Sequence, residues 1–333
     1  MPRSRRPSVR GEPEISTETV GLSNFDPGAL AHVVTGAEFE HRRLPGGDSK
    51  IKLLECSLPH SIINRGIYSP SVLVNGTFAS DAITLGTMLR QKEATIINGS
   101  EVRMGTMQFY AEGSEMCYRA WPNATWLAFV ISRELLLEFV IDHIDEEPDL
   151  PRSGIISIEP QSKEGGYQFV DSFRDLDRSL RSLESAENPA RLGQALEDDL
   201  LARIATFFRP RSRMSKIGAR RRLHFCGEVL RDTIKLIEDN PAEMFDLQSM
   251  SRATGLSPRT LQRAFQAEYG LCPQEWLKVE RLHQVREDLI WRHDTVTRAA
   301  TRWGFFHLGR FSRYYRELFG EMPSQTLGRR LAK

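Results

Sequence analysis

The chain has 333 residues, 40% of them hydrophobic and 27% charged, enough apolar material for two domains with separate cores. No apolar run approaches the roughly 20 residues of a membrane-spanning helix, and the basic stretch Met1–Pro7 leads into no apolar segment, so it is not read as a secretory signal. The net charge of +1 hides a split: residues 209–333 hold 24 Lys/Arg against 14 Asp/Glu, whereas residues 1–208 hold 21 against 30. A basic domain carried on an acidic one is the electrostatic footprint of nucleic-acid binding.

Taken in order, residues 1–25 carry no periodic pattern and are expected to be a disordered tail. Residues 26–208 are expected to form an N-terminal domain. Its first part is a succession of short β-rich segments: Ile51–Leu54, Ile67–Val74, Phe78–Leu85, Ala94–Ile97, Met107–Tyr110, Met116–Arg119 and Trp126–Val130. Pro45-Gly46-Gly47, Asn75-Gly76 and Asn98-Gly99 separate them, and Asn-Gly is a hairpin signal because both residues accept positive φ. Strands at this spacing predict a small β-barrel or a sandwich.

Two helices are predicted next. In the first, Phe169, Phe173, Leu176, Leu180 and Leu183 alternate in steps of four and three and make one apolar seam. The seam either packs on the barrel or serves as a dimer interface. Leu192, Leu196, Leu200, Leu201 and Ile204 line the second helix. Residues 209–220 are basic and poor in apolar side chains, and read as an interdomain linker. A helix is expected near Arg221–Asp239, opening an all-α domain over 221–333.

That domain contains an internal repeat. Shifted by 50 positions, Leu261 falls on Phe311, Arg263 on Arg313, Phe265 on Tyr315, Gly270 on Gly320 and Pro273 on Pro323. Each copy reads as a helix-turn-helix unit. A long helix whose stripe is Trp276, Val279, Leu282, Val285 and Leu289 joins the two. In the first unit Ser257 and Pro258 suit a helix start. Arg259, Gln262, Arg263 and Gln266 face away from the apolar side, with Ser257 and Thr260 at the flank. Arg pairs bidentately with guanine and Gln with adenine, while hydroxyls suit phosphate oxygens. The second unit offers His307, Gly309, Arg310, Ser312, Arg313 and Arg316 for the same work, after a turn one residue longer and without a Ser, Thr, Asp or Asn cap. These twelve residues are the candidate DNA contacts, and double-stranded DNA is the expected partner.

The stretch from about Arg221 to Leu327 resembles the AraC/XylS transcription regulators. The resemblance rests on Ala300-x-x-x-Gly304-Phe305, Phe311-x-Arg313-x-Tyr315, Phe319-Gly320 and Met322-Pro323-Ser324, and on Leu261-Gln262-Arg263-x-Phe265 and Tyr269-Gly270-x-x-Pro273 in the first unit. The wording from Trp303 to Phe311 is most similar to the branch containing the ethanolamine-utilisation regulator. The resemblance implies a cytoplasmic, nucleoid-associated bacterial regulator, usually an activator that helps recruit RNA polymerase. It also implies a cupin-like N-terminal domain that binds an effector or dimerises.

The N-terminal half is less explicit. Its histidines form no metal-binding cluster, and no phosphate-binding glycine loop is present, so no cofactor, no metal and no catalytic residue is expected. The four cysteines, Cys56, Cys117, Cys226 and Cys272, form no CxxC pair and read as reduced thiols. Arg103, Tyr110, Arg119, Trp121 and Trp126 are candidate lining for a small effector in a barrel mouth. An effector-responsive, homodimeric activator stands first. The alternatives are a regulator whose N-terminal domain docks a protein or only dimerises, and an enzyme fused to a DNA reader.

Overall fold

The computed structural model describes residues 15–22, 30–46, 48–144, 147–160, 162–181, 189–208, 213–217, 235, 239, 246–292 and 294–331. Of the helix expected near Arg221–Asp239 only Lys235 and Asp239 are described, both helical, and the seam residue Leu183 lies outside the described residues.

Among the described residues the N-terminal domain holds thirteen strands in two antiparallel sheets. They are β1 (Ser16–Leu22), β2 (Glu38–Leu44), β3 (Ile51–Ser57), β4 (Ser61–Tyr68), β5 (Ser71–Thr77), β6 (Ile83–Arg90), β7 (Thr95–Ile97), β8 (Ser100–Val102), β9 (Met107–Tyr110), β10 (Glu115–Ala120), β11 (Ala124–Ile131), β12 (Ile155–Glu159) and β13 (Arg213–Ile217). One sheet has the order β1-β3-β4-β11-β6-β9-β12-β13 and the other β2-β5-β10-β7-β8. Neither order returns to its first strand, so the expected cupin-like barrel is not closed; the sheets face each other as an open sandwich.

Strand β11 shows why the core has two layers. All eight of its residues are buried. Trp126, Ala128 and Val130 point between the sheets, while Leu127, Phe129 and Ile131 point to the other side, onto helices. A strand covered on both faces reads as a continuous apolar run rather than as an alternation. The helices are α1 (Arg133–Ile144), α2 (Lys163–Leu180) and α3 (Pro189–Ala205).

The dimer-seam expectation is corrected here. Phe169, Phe173, Leu176 and Leu180 are buried in the layer between α2 and the large sheet, and the Phe169 ring packs at a tilt against Phe173, centroids 4.3 Å apart, and against Phe207 at 4.1 Å. Each such buried side chain contributes about 1.5–3 kcal/mol to its own fold, and none is left to face a second copy. Two further segments differ from expectation. Residues 16–22, placed in the tail, pair with β3 from Ser16↔Ser57 to Leu22↔Ile51. Residues 213–217, placed in the linker, form the sheet edge beside β12. Asn75-Gly76 is not a turn; it lies inside β5, whereas Asn98-Gly99 does turn a hairpin, with φ of 46° and 72°.

The described residues of the C-terminal domain form α4 (Leu247–Thr254), α5 (Pro258–Tyr269), α6 (Pro273–Trp291), α7 (Val296–Arg302), α8 (Leu308–Phe319) and α9 (Pro323–Leu331). The 50-residue repeat is exact at both ends of α5 and α8, and both helices end on a left-handed glycine, Gly270 at φ 67° and Gly320 at φ 75°.

Candidate nucleic-acid interface

Both units are built by local chemistry. In the first, the Asp246 carboxylate accepts from Ser249 N at 2.7 Å to start α4, and Gly255 ends it in the left-handed region at φ 69°. Ser257 Oγ then accepts from Thr260 N at 3.2 Å, with Pro258 at the first helical position of α5. In the second unit Thr295 Oγ1 accepts from Arg298 N at 3.2 Å at the start of α7, and Gly304 turns the chain at φ 82°. His307 opens α8 without a side-chain cap, as its sequence predicts.

The inward faces of the two reader helices are equivalent. Leu261, Ala264 and Phe265 are buried under α5, and Phe311, Tyr315 and Leu318 under α8. The opposite faces carry the candidate contacts. Ser257, Arg259, Thr260, Gln262, Arg263 and Gln266 are all exposed, as are His307, Gly309, Arg310, Arg313 and Arg316; Ser312 is half-buried. Arg313 makes a loose ion pair with Glu317 at 3.4 Å and lies over the Tyr314 ring at 5.5 Å, contacts that water screens and a phosphate or guanine can replace. A Cβ added at Gly309 would meet nothing within 4 Å, so this part of α8 presents bare backbone.

Helix α6 fixes the two readers on one frame. Its 19 residues span about 28 Å at about 1.5 Å each. Near its start Trp276 packs edge-on against Phe265 at 5.3 Å. Near its end Asp288 accepts from Trp303 Nε1 at 2.8 Å and from Arg302 at 2.7 Å. Arg286 donates to Glu321 at 2.6 Å and lies over the Phe319 ring. The predicted stripe from Trp276 to Leu289 is buried, but so are Glu280, His283, Arg286 and Asp288 on other sides of the helix. The sequence reading missed these four. Acidic and basic residues recurring beside an apolar stripe read as a solvated face when no partner surface is known.

The partner surface is the five-stranded sheet. Arg42, 6% exposed, reaches from β2 to Glu280 at 3.1 Å and Glu287 at 2.9 Å, and also pairs with Glu40. His283 Nε2 donates to the Arg43 carbonyl at 2.9 Å. Burial foremost, with Arg42 nearby, drives the His283 pKa down to about 3, so the ring is neutral and its proton sits on Nε2. The same sheet also touches the C-terminal ends of both reader helices, at matching repeat positions. The Arg119 guanidinium lies against Gly270 and reaches Gln266 O at 3.5 Å, a cation where the helix dipole is negative. In the loop that follows β2, Ser49 Oγ lies against Gly320 and donates to Phe319 O at 3.4 Å.

The candidate effector residues therefore separate. Tyr110 and Trp126 line a cavity between the two sheets. Arg103 is exposed and paired with Glu101 at 3.0 Å. Arg119 belongs to the domain interface and stacks over Trp121 at 5.3 Å. These three do not line the cavity. Phe39, His41, Tyr68, Phe78 and Tyr118 do; the alternation of Phe39 with His41 on β2 and of Met116 with Tyr118 on β10 was the available signal, obscured because β2 reads Glu-Phe-Glu-His-Arg-Arg-Leu.

Residues 250–329 match the helix-turn-helix domain family. Over 103 residues the chain is 36% identical to the probable thc operon regulatory protein of Rhodococcus erythropolis, covering 30% of this chain and 31% of that protein. It is equally similar, 36% over 103 residues, to XylDLEGF operon transcriptional activator 3 of Pseudomonas putida, with the same coverage. A crystal structure of a probable AraC family transcriptional regulator from Rhodopseudomonas palustris is 36% identical and covers 31% of this chain and 97% of that one, with a TM-score of 0.29. Over this stretch the chain is similar to transcription regulators of the AraC/XylS type. The chain spans about a third of the length of the curated relatives it matches, 31% of each, so the likeness to them stops at the AraC/XylS-type reader. These relatives are regulators rather than enzymes. No helix among the described residues is long and apolar enough to cross a membrane.

Proposed function

We propose that the chain is an effector-responsive transcription activator that binds promoter DNA through both helix-turn-helix units, with the N-terminal domain holding the two readers in one orientation. The observation that carries this reading is the pair α5 and α8. They expose Arg263 and Arg313 at the same repeat position and are seated on one rigid helix. In this account Arg259, Gln262, Arg263, Gln266, Arg310, Arg313 and Arg316 meet base edges and phosphates, Ser257, Thr260, His307 and Ser312 meet the backbone, and Gly309 lets it come close. The chain works in the cytoplasm, at the nucleoid. It acts as a homodimer joined through a surface other than the Phe169–Leu180 seam, and helps recruit RNA polymerase.

A small-molecule effector is favoured over a protein partner by the cavity between the sheets. Selection of binding sequences from random duplexes by the full chain tests the DNA-binding account. Two short conserved blocks are expected, with centres about one helical turn, roughly 34 Å, apart. One uninterrupted short block, or no preference at all, would refute the use of both units.

A further inference from the structure

The five-stranded sheet is a single layer with different chemistry on its two faces. On β2, Phe39 and His41 face the cavity while Arg42 and Leu44 face the C-terminal domain; on β10, Tyr118 faces the cavity and Arg119 the reader helix. The period of two in a strand forces this division. Whatever fills the cavity therefore presses on the back of the surface that grips α6 and the ends of α5 and α8.

The cavity holds about 510 Å³ of space between atoms, counting the part open to solvent. None of its lining residues is Asp, Glu, Lys or Arg. Its one imidazole, His41, is neutral: burial takes its pKa down to about 3, and Nε2 bonds the Tyr68 hydroxyl at 3.1 Å. A charged ligand would lose its hydration there and meet no counter-charge, an unfavourable exchange. Flat rings form the walls: Phe78 lies on Tyr110 at 4.3 Å, and Tyr68 beside Trp126 at 5.9 Å. The polar groups on offer are hydroxyl, imidazole, indole and amide.

We propose that this cavity is the effector site and that it takes an uncharged, largely apolar ring compound carrying a hydroxyl- or carbonyl-sized polar group. The proposal rests on the effector-responsive reading above and names the ligand class for it. In this scheme the ligand reaches the readers through β2 and β10, by displacing the side chains that back Arg42 and Arg119.

The test is calorimetric titration of the full chain at pH 7 with 2-naphthol as a neutral ring probe and 2-naphthoate as its charged counterpart. One 2-naphthol should bind per chain, at least tenfold more tightly than 2-naphthoate. Ala128→Phe, which fills the cavity, should weaken it at least tenfold. If that variant does not fold, Gly86→Ala serves, since its Cβ would press on the Tyr110 ring at 3.0 Å. Equal or tighter binding of 2-naphthoate, binding that ignores the variant, or no binding of 2-naphthol overturns the proposal. A chain that still selects its paired DNA site while binding neither probe keeps the DNA-binding reading and loses this one.

Discussion

Arg42→Ala is expected to lower the unfolding free energy of the full chain by about 3–5 kcal/mol, the effect of removing one partner from a buried ion pair. The guanidinium sits between Glu280 and Glu287, at 3.1 and 2.9 Å, and Glu280 is only 4% exposed. Burial works against the charge on Glu280, and Arg42, with smaller help from His283 and Gln284, leaves the carboxyl below its usual range. Without Arg42 that carboxylate has lost its counter-charge inside the protein. Most of the loss therefore comes from the stranded acid and not from the contact itself. The double variant Arg42→Met, Glu280→Leu should recover most of the stability, because the charge is removed together with its partner. Urea unfolding of the three proteins decides it. A double variant as unstable as Arg42→Ala would mean that the loss came from something other than an unpaired Glu280.

Acid should loosen the same region. His41 in the cavity wall and His283 in the domain interface are both held to a pKa of about 3, chiefly by burial. Unfolded, each returns to about 6.5. The sign follows directly: a depressed histidine is neutral when folded and takes up a proton on unfolding. Its contribution is therefore intact above about pH 6.5 and is lost as pH falls toward the folded value. Between pH 7 and pH 5 the two groups together should cost about 4 kcal/mol, roughly 2 kcal/mol each. Denaturant titrations at the two pH values, for the native chain and for His41→Gln with His283→Gln, isolate this contribution from that of the carboxylates. The double variant should lose about 4 kcal/mol less over the interval. An identical loss in both proteins would show that neither histidine is held neutral.

The C-terminal units were legible because their signals are local. Ser257-Pro258, Gly270 and Gly320 fix where helices start and stop, and the 50-residue repeat fixes the rest. What escaped the reading depends on partners far away in the chain. Strand β2 carries Arg42 and Arg43 and reads as polar, yet these residues are buried because α6 covers them. The same covering buries Glu280 and His283 on α6. The Phe169–Leu180 seam shows the converse: its periodicity correctly located a buried face, but periodicity does not say what covers it. The edge strands β1 and β13 are short, half polar and held by backbone pairing, which leaves little trace in side-chain pattern. The open sandwich in place of a barrel has a related cause, since strand spacing alone does not fix whether sheet edges meet.

The most direct test of the account is to measure Arg263→Ala and Arg313→Ala against the selected site and each of its single-base variants, at fixed salt. Each variant is expected to lose roughly 1–3 kcal/mol on the native site and to stop discriminating at one base position. The two positions should lie about one helical turn apart. Replacing Lys278, whose ammonium lies over the Tyr314 ring at 4.9 Å on α6, should leave the base preference unchanged. If Arg263→Ala and Arg313→Ala weaken binding equally on the selected site and on random DNA, the exposed faces of α5 and α8 do not read bases, and the central claim is contradicted.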